Sequence, residues 1–215
     1  SPSVFGSGQV PESSLRTAAG KTVQDAVLFS SSNYLGLAEH PEIKNAVKDS
    51  VDHYGAGSGG SRLTTGTSDL HVAVEAAAAQ LTGYPDSVFF ATGYQANLST
   101  LQALASPELT IISDARNHAS IIDGCRLAKA SGASLVVTAH RDTRAVEDAL
   151  ATRTTKYALV ITDGLFSMDG VLAPLPELSR LARDYGAWLM VDDAHSFGTV
   201  GDRGLGLPEY FGVQP

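Results

Sequence analysis

The chain has 215 residues, 43% of them hydrophobic and 18% charged, a balance that supports a buried core and argues against a disordered or fibrous protein. Its net charge of −8, without a Lys/Arg cluster, argues against nucleic acid or anionic membrane as the main partner, and no apolar run approaches the ~20 residues of a membrane span. A single cysteine, Cys125, excludes an intramolecular disulfide and any cysteine-based zinc pattern, and Ser1-Pro2-Ser3 does not open a signal peptide, so a cytoplasmic protein is expected.

Residues 1 to about 26 are rich in Ser, Gly and Pro without a sustained period and read as an arm or linker. The first strand is expected at Val27-Leu28-Phe29-Ser30, running into the loop Ser32-Asn33-Tyr34-Leu35-Gly36-Leu37. Apolar positions Ile43, Val47, Val51 and Tyr54 repeat at helical spacing, which predicts an amphipathic helix ending at Gly55. The glycine-rich segment from Gly55 to Gly66 implies positive φ or close backbone approach. A helix near 69 to 82 follows. We therefore divide the chain into an arm with its first strand and loop, 1–40, and a large domain, 41–215.

From there short apolar runs alternate with helical stretches. Strands are expected at Ser87 to Ala91, Leu109 to Ser113, Leu135 to Thr138, Ala158 to Thr162 and Ala187 to Val191. Helices are expected near 95 to 105, 119 to 130, 143 to 151 and 175 to 185. Strands separated by helices need crossover connections, which predicts an α/β fold with a mainly parallel central sheet covered by helices on both faces. The C-terminal stretch from Leu205 to Pro215 reads as lacking a closing helix, as if the chain were cut inside a domain.

The chemistry converges on Trp188-Leu189-Met190-Val191-Asp192-Asp193-Ala194-His195, an apolar run ending in two acids and a histidine. It reads as a strand buried on both faces that delivers Asp192 and His195 to the carboxyl edge of the sheet, where ligands of open α/β sheets bind. A carboxylate there must be paired or hydrogen-bonded. The sequence offers it no cationic neighbour, so a ligand is expected to supply the cation. Gly55-x-Gly57-x-x-Gly60 fails as a dinucleotide fingerprint because a helix, not a strand, precedes it. No Walker A loop, Gly-x-Ser-x-Gly elbow or histidine pair with metal-ligand spacing is present, so no metal is expected.

Thr92-Gly93-Tyr94 opens a helix, and backbone N–H groups there form a ready phosphate site to which the Thr92 hydroxyl can add; an ordinary N-capped turn is the plain alternative. His118 offers a flat imidazole, or is simply a cap. Thr162-Asp163-Gly164 and Ser167-Met168-Asp169-Gly170 predict turns. All of these follow predicted strands, so one sheet edge gathers them. A ligand satisfying them has a phosphate, a flat ring and a protonated ring nitrogen opposite Asp192, which describes pyridoxal 5'-phosphate (PLP).

Six blocks, Ser32-Asn33-Tyr34-Leu35-Gly36-Leu37, Gly57-Ser58-Gly59-Gly60-Ser61-Arg62, Thr92-Gly93-Tyr94, Asn117-His118-Ala119-Ser120, Phe166-Ser167-Met168-Asp169-Gly170 and Asp192-Asp193-Ala194-His195, resemble the α-oxoamine synthases, fold-type I PLP enzymes. The resemblance implies that Asp192 pairs with the ring nitrogen, His195 with the phenolic oxygen, and His118 and Ala194 with the two ring faces. It implies further that Thr92, Gly93 and Tyr94 hold the phosphate, and that Asn33 and Ser167 hold the substrate carboxylate or the ring oxygen. The implied reaction condenses an amino acid with an acyl-CoA, with decarboxylation to an α-amino ketone, in a homodimer with shared sites. The family's Schiff-base lysine belongs to a Ser/Gly-Lys motif that none of Lys21, Lys44, Lys48, Lys129 or Lys156 occupies. That lysine and a carboxylate-binding arginine are expected beyond this sequence, whether the chain is a fragment, a natural subunit or a non-catalytic relative.

Overall fold

The computed structural model describes residues 4–5, 12–17 and 19–214. They form two compact units, Ser1–Ala73 and Val74–Pro215.

In the first unit, β1 (Val4–Phe5), β2 (Glu12–Arg16) and β3 (Thr22–Val27) pair antiparallel in sequence order. This corrects the reading of residues 1 to 26 as arm without strands, as far as they are described, and of the first strand as 27–30. β3 ends where that run was expected to begin, and Phe29 is 96% exposed. The misreading has a physical source: a strand with little apolar cover carries mixed residues, and this one also bulges against β2, with Asp25 at φ 53°. A short 3-10 turn, Leu37–Glu39, leads to α1 (Pro41–Tyr54), which has Pro at its start and stops at Gly55, φ 81°. The helical period was read correctly, yet α1 buries no residue. In the loop after it the expected close approach is real: a Cβ on Gly66 would lie 2.0 Å from the Gly60 carbonyl oxygen. The Tyr54 hydroxyl donates to Asp69 at 2.6 Å, tying α1 to the first residue of α2 (Asp69–Thr82).

The second unit carries α3 (Gly93–Leu104), β4 (Leu109–Asp114), α4 (Ala119–Ala130), β5 (Ser134–Thr138), α5 (Thr143–Thr152) and β6 (Tyr157–Asp163). There follow a hairpin of β7 (Leu165–Phe166) and β8 (Val171–Leu172), then α6 (Leu175–Asp184), β9 (Trp188–Asp192) and α7 (Leu207–Phe211). The four long strands form a parallel sheet in the order β5-β4-β6-β9. Alternating strand residues serve opposite faces. Leu109, Ile111, Leu159 and Ile161 pack with Leu101, Ile121 and Cys125 of α3 and α4. Ile112, Ala158 and Val160 pack with Val146, Leu150, Leu178 and Leu181 of α5 and α6. The expected parallel sheet with helices on both faces is therefore present.

Three expectations need correction. Ser87 to Ala91 forms no strand; instead the Ser87 hydroxyl donates to the Glu75 carbonyl and the Phe89 N–H to the Glu75 carboxylate, both at 2.8 Å. β9 is covered on both faces, with Leu189 and Met190 packing on opposite cores, but it lies at a sheet edge and is only half-buried. The C-terminal stretch does close with a short helix, α7, whose Leu207 is fully buried.

Candidate active site

The carboxyl ends of the sheet bring acids together. Parallel register sets Asp163 of β6 beside Asp192 of β9, and Asp114 ends β4 on the other side of β6. Asp192 accepts from the Asn97 side-chain amide at 2.7 Å and from the Ala194 N–H at 3.1 Å. Neutral donors thus satisfy both its oxygens.

Asp163, which sequence reading treated only as turn chemistry, is 6% exposed and accepts from the His118 backbone N–H at 3.0 Å. Burial pushes its carboxyl up to about 7; the neighbouring Asp192 and Asp114 charges push the same way, and the His118 N–H opposes them. The Asp163-Gly164 pair does not form the predicted reversal either. It bends, with the Gly164 N–H still bonded to the Asp192 carbonyl at 2.8 Å. Asp169-Gly170 does turn, closing the β7–β8 hairpin with Gly170 at φ 65°. Ser167 stands exposed on that turn, and Asp169 is paired with Arg116, two residues before His118.

Thr92 is the N-cap of α3, its hydroxyl accepting from the Gln95 N–H at 3.1 Å. The plain reading of a capped turn is therefore correct, and it leaves the N–H groups of Gly93 and Tyr94 in a first turn, where helix geometry provides no intrahelical acceptor. A Cβ on Gly93 would meet nothing within 4 Å, so the approach to those donors is open. The Tyr94 ring stands edge-on to His118, centroids 6.4 Å apart, with its hydroxyl held by Asp123.

His118 is both cap and candidate. It N-caps α4, Nδ1 accepting from the Ser120 N–H at 3.2 Å and lying 2.7 Å from the Ser120 hydroxyl, while the residue remains exposed. Asn97 closes the circuit by donating to the Ser120 hydroxyl at 3.0 Å. His118 and Asp192, far apart in sequence, are joined by this network. Sequence reading missed Asn97 and Ser120 as site residues, although Ser120 stood in a quoted block.

Ala194 is exposed and His195 half-buried on the turn that follows Asp192. That turn is held from beneath by Asp193, which accepts from the Ser196 hydroxyl and, at 3.2 Å, from the Leu207 N–H; burial raises its carboxyl above the usual range. Asn33 belongs to the first unit, where its side-chain oxygen accepts from the Ala38 N–H at 3.2 Å.

A model of the family described as Aminotransferase class I and II matches residues 24–213. The chain belongs to that family. Among curated class I and II relatives, the Biotin biosynthesis bifunctional protein BioWF of Corynebacterium kroppenstedtii is 46% identical over 98% of this chain and 30% of its own length. The 8-amino-7-oxononanoate synthase of Methylococcus capsulatus is 51% identical over 87% of this chain and 48% of its own. The chain therefore spans about half the length of such synthases. Serine palmitoyltransferase from S. paucimobilis, solved with PLP and myriocin bound, superposes with a TM-score of 0.90 at 33% identity, over 100% of this chain and 54% of that one. The fold is that of the fold-type I PLP transferases.

Proposed function

We propose that the protein is a PLP-dependent α-oxoamine synthase, condensing an amino acid with an acyl-CoA, and that its substrates are L-alanine and pimeloyl-CoA, as in 8-amino-7-oxononanoate synthases. The observation that carries the reading is the donor set around Asp192. A carboxylate satisfied by neutral donors, an exposed imidazole and an open helix N-terminus share one edge of the sheet. Those groups fit a flat, phosphorylated, nitrogen-bearing ring. Bound there, PLP supplies an electron sink for negative charge developing at the amino-acid Cα.

This chain's own residues have definable tasks. Gly93 and Tyr94 would donate backbone N–H groups to the phosphate, reinforced by the α3 dipole. Asp192 would hold a proton on the ring nitrogen, Ala194 and His118 would confine the ring from its two faces, and His195 would donate to the phenolic oxygen. By the family likeness, Ser167, and separately Asn33 of the first unit, would help hold the substrate carboxylate or the ring oxygen. The division into an arm, 1–40, and a large domain, 41–215, the cytoplasmic location and a homodimer with shared sites belong to the same reading. The biotin-pathway names of the relatives support the substrate choice, as does the likeness of Gly60–Gly66, Ser113–Ala115 and Thr138–Asp142 to those synthases. The serine palmitoyltransferase neighbours favour a second reading, serine with a long-chain acyl-CoA.

The test uses the full-length protein with PLP, screened against alanine, glycine and serine and acyl-CoAs of several lengths. Alanine with pimeloyl-CoA is expected to give the highest kcat/KM. Asp192→Asn is expected to retain PLP and lose at least 100-fold in kcat, because only the reacting state draws fully on the ring-nitrogen charge. Near-normal turnover would remove Asp192 from its role, and a protein that takes up no PLP would end the reading.

A further inference from the structure

We propose that Asn97 is a positioning residue that locks Asp192 and His118 into a single arrangement by donating toward both, an inference that rests on the PLP reading above. Asn97 is 7% exposed and Ser120 1%, so neither has water as an alternative partner. Both amide hydrogens of Asn97 are committed: Nδ2 lies 2.7 Å from Asp192 Oδ2 and 3.0 Å from Ser120 Oγ. An ionised carboxylate accepts only, which fixes which end of the amide faces it. Ser120, having accepted from Asn97, turns its own proton to His118 Nδ1 at 2.7 Å. The Ser120 backbone N–H, an obligatory donor, reaches the same nitrogen at 3.2 Å, so Nδ1 is the acceptor and the ring proton sits on Nε2. Asn97 is therefore donor at both branches and His118 acceptor at the end.

Placement on α3 adds a second reason. Asn97 follows Gly93 by four residues, one turn and about 6 Å along the axis, on the same side of the helix. One rigid element thus carries the N-terminal donors and the anchor of the carboxylate, and sets the distance between them. Close packing of α3 on α4 maintains the other branch: a Cβ on Gly124 would lie 2.7 Å from Leu101 Cδ1. Packing alone does not require Asn97 to face a carboxylate.

Asp163 on β6 stands beside Asp192 in register, His118 at the cap of α4 connects to it through Ser120 and Asn97, and Asp193 and His195 follow it on its own turn. α3 adds no charged side chain. A hydrogen bond to a carboxylate favours its charged form, whereas packing is indifferent to charge, so the pH dependence of PLP affinity separates the two.

The experiment measures PLP dissociation constants across pH 5 to 9 on the full-length apoprotein, with thermal melting as the control on folding. Asn97→Leu is expected to weaken PLP binding about tenfold at neutral pH and to move the acidic loss of affinity to higher pH. Asn97→Asp keeps the side-chain shape, guards against failure of the leucine variant to fold, and moves that loss further the same way. Ser120→Ala breaks only the His118 branch; a twofold to threefold weakening with the acidic limb unmoved is expected. Asn97 variants whose affinity falls by one factor at every pH, or not at all, overturn the positioning role while leaving the cofactor reading intact. A wild-type protein that binds no PLP overturns both, before any variant is read.

Discussion

Asp163 shows how far a single residue can depart from its ordinary behaviour when two strands are laid side by side. Its carboxyl, moved from 3.8 to about 7 by burial and then by Asp192, holds a proton in the folded state at pH values where the unfolded chain has released it. The folded state therefore binds more protons between those values, and stability falls as pH rises through that window, the full penalty being present above about 7. At 1.36 kcal/mol per pH unit the cost is on the order of 4 kcal/mol at most. Asp163→Asn keeps an oxygen to accept the His118 N–H and removes the charge. In the full-length apoprotein it is expected to raise the denaturant midpoint at pH 8, leave it nearly unchanged at pH 4.5, and flatten the slope between. An unaltered slope would mean that Asp163 ionises normally.

At the scale of elements, the α3–α4 pair depends on Gly124. An alanine there places a methyl 2.7 Å from Leu101 Cδ1 and 3.3 Å from the Asn97 carbonyl oxygen, and Leu101 has no exposed surface to swing into. Overpacking costs about 1–3 kcal/mol, while the better helix propensity of alanine returns up to ~1 kcal/mol, so Gly124→Ala is expected to be destabilising by about 1–2 kcal/mol in urea unfolding. A stabilised variant would show that the helices have room to part. Elements differ sharply in how legible they were. α4 and α6 were read almost to the residue because each lays a periodic apolar face on a sheet, and Asp192 and His195 stood out as the polar end of an apolar strand. β2 and β3 carry no such face. Asn97 was invisible because its meaning lies 95 residues away in Asp192, and Asp163 because its chemistry comes from a lateral neighbour that periodicity does not name.

For the molecule as a whole, apolar surface is distributed unevenly. The second unit has cores on both sides of its sheet, whereas Ile43, Val47, Val51 and Tyr54, the periodic face of α1, are between 39% and 59% exposed. Among the described residues β9 lies at the edge of its sheet, with Trp188 49% exposed and stacked on Tyr157 at 5.6 Å. A contiguous apolar helix face and an open strand edge are both surfaces on which chains associate. The net charge of −8 opposes that association by repulsion, which salt screens. The 215-residue chain expressed by itself is therefore expected to bind a hydrophobic dye and to elute from size exclusion as species larger than a monomer, the more so as salt is raised from 50 to 500 mM. Val47→Glu in the isolated chain, which places a charge in the middle of the α1 face, should reduce the larger species. A dye-silent monomer at both salt concentrations would show that the exposed face and edge are tolerated without a partner.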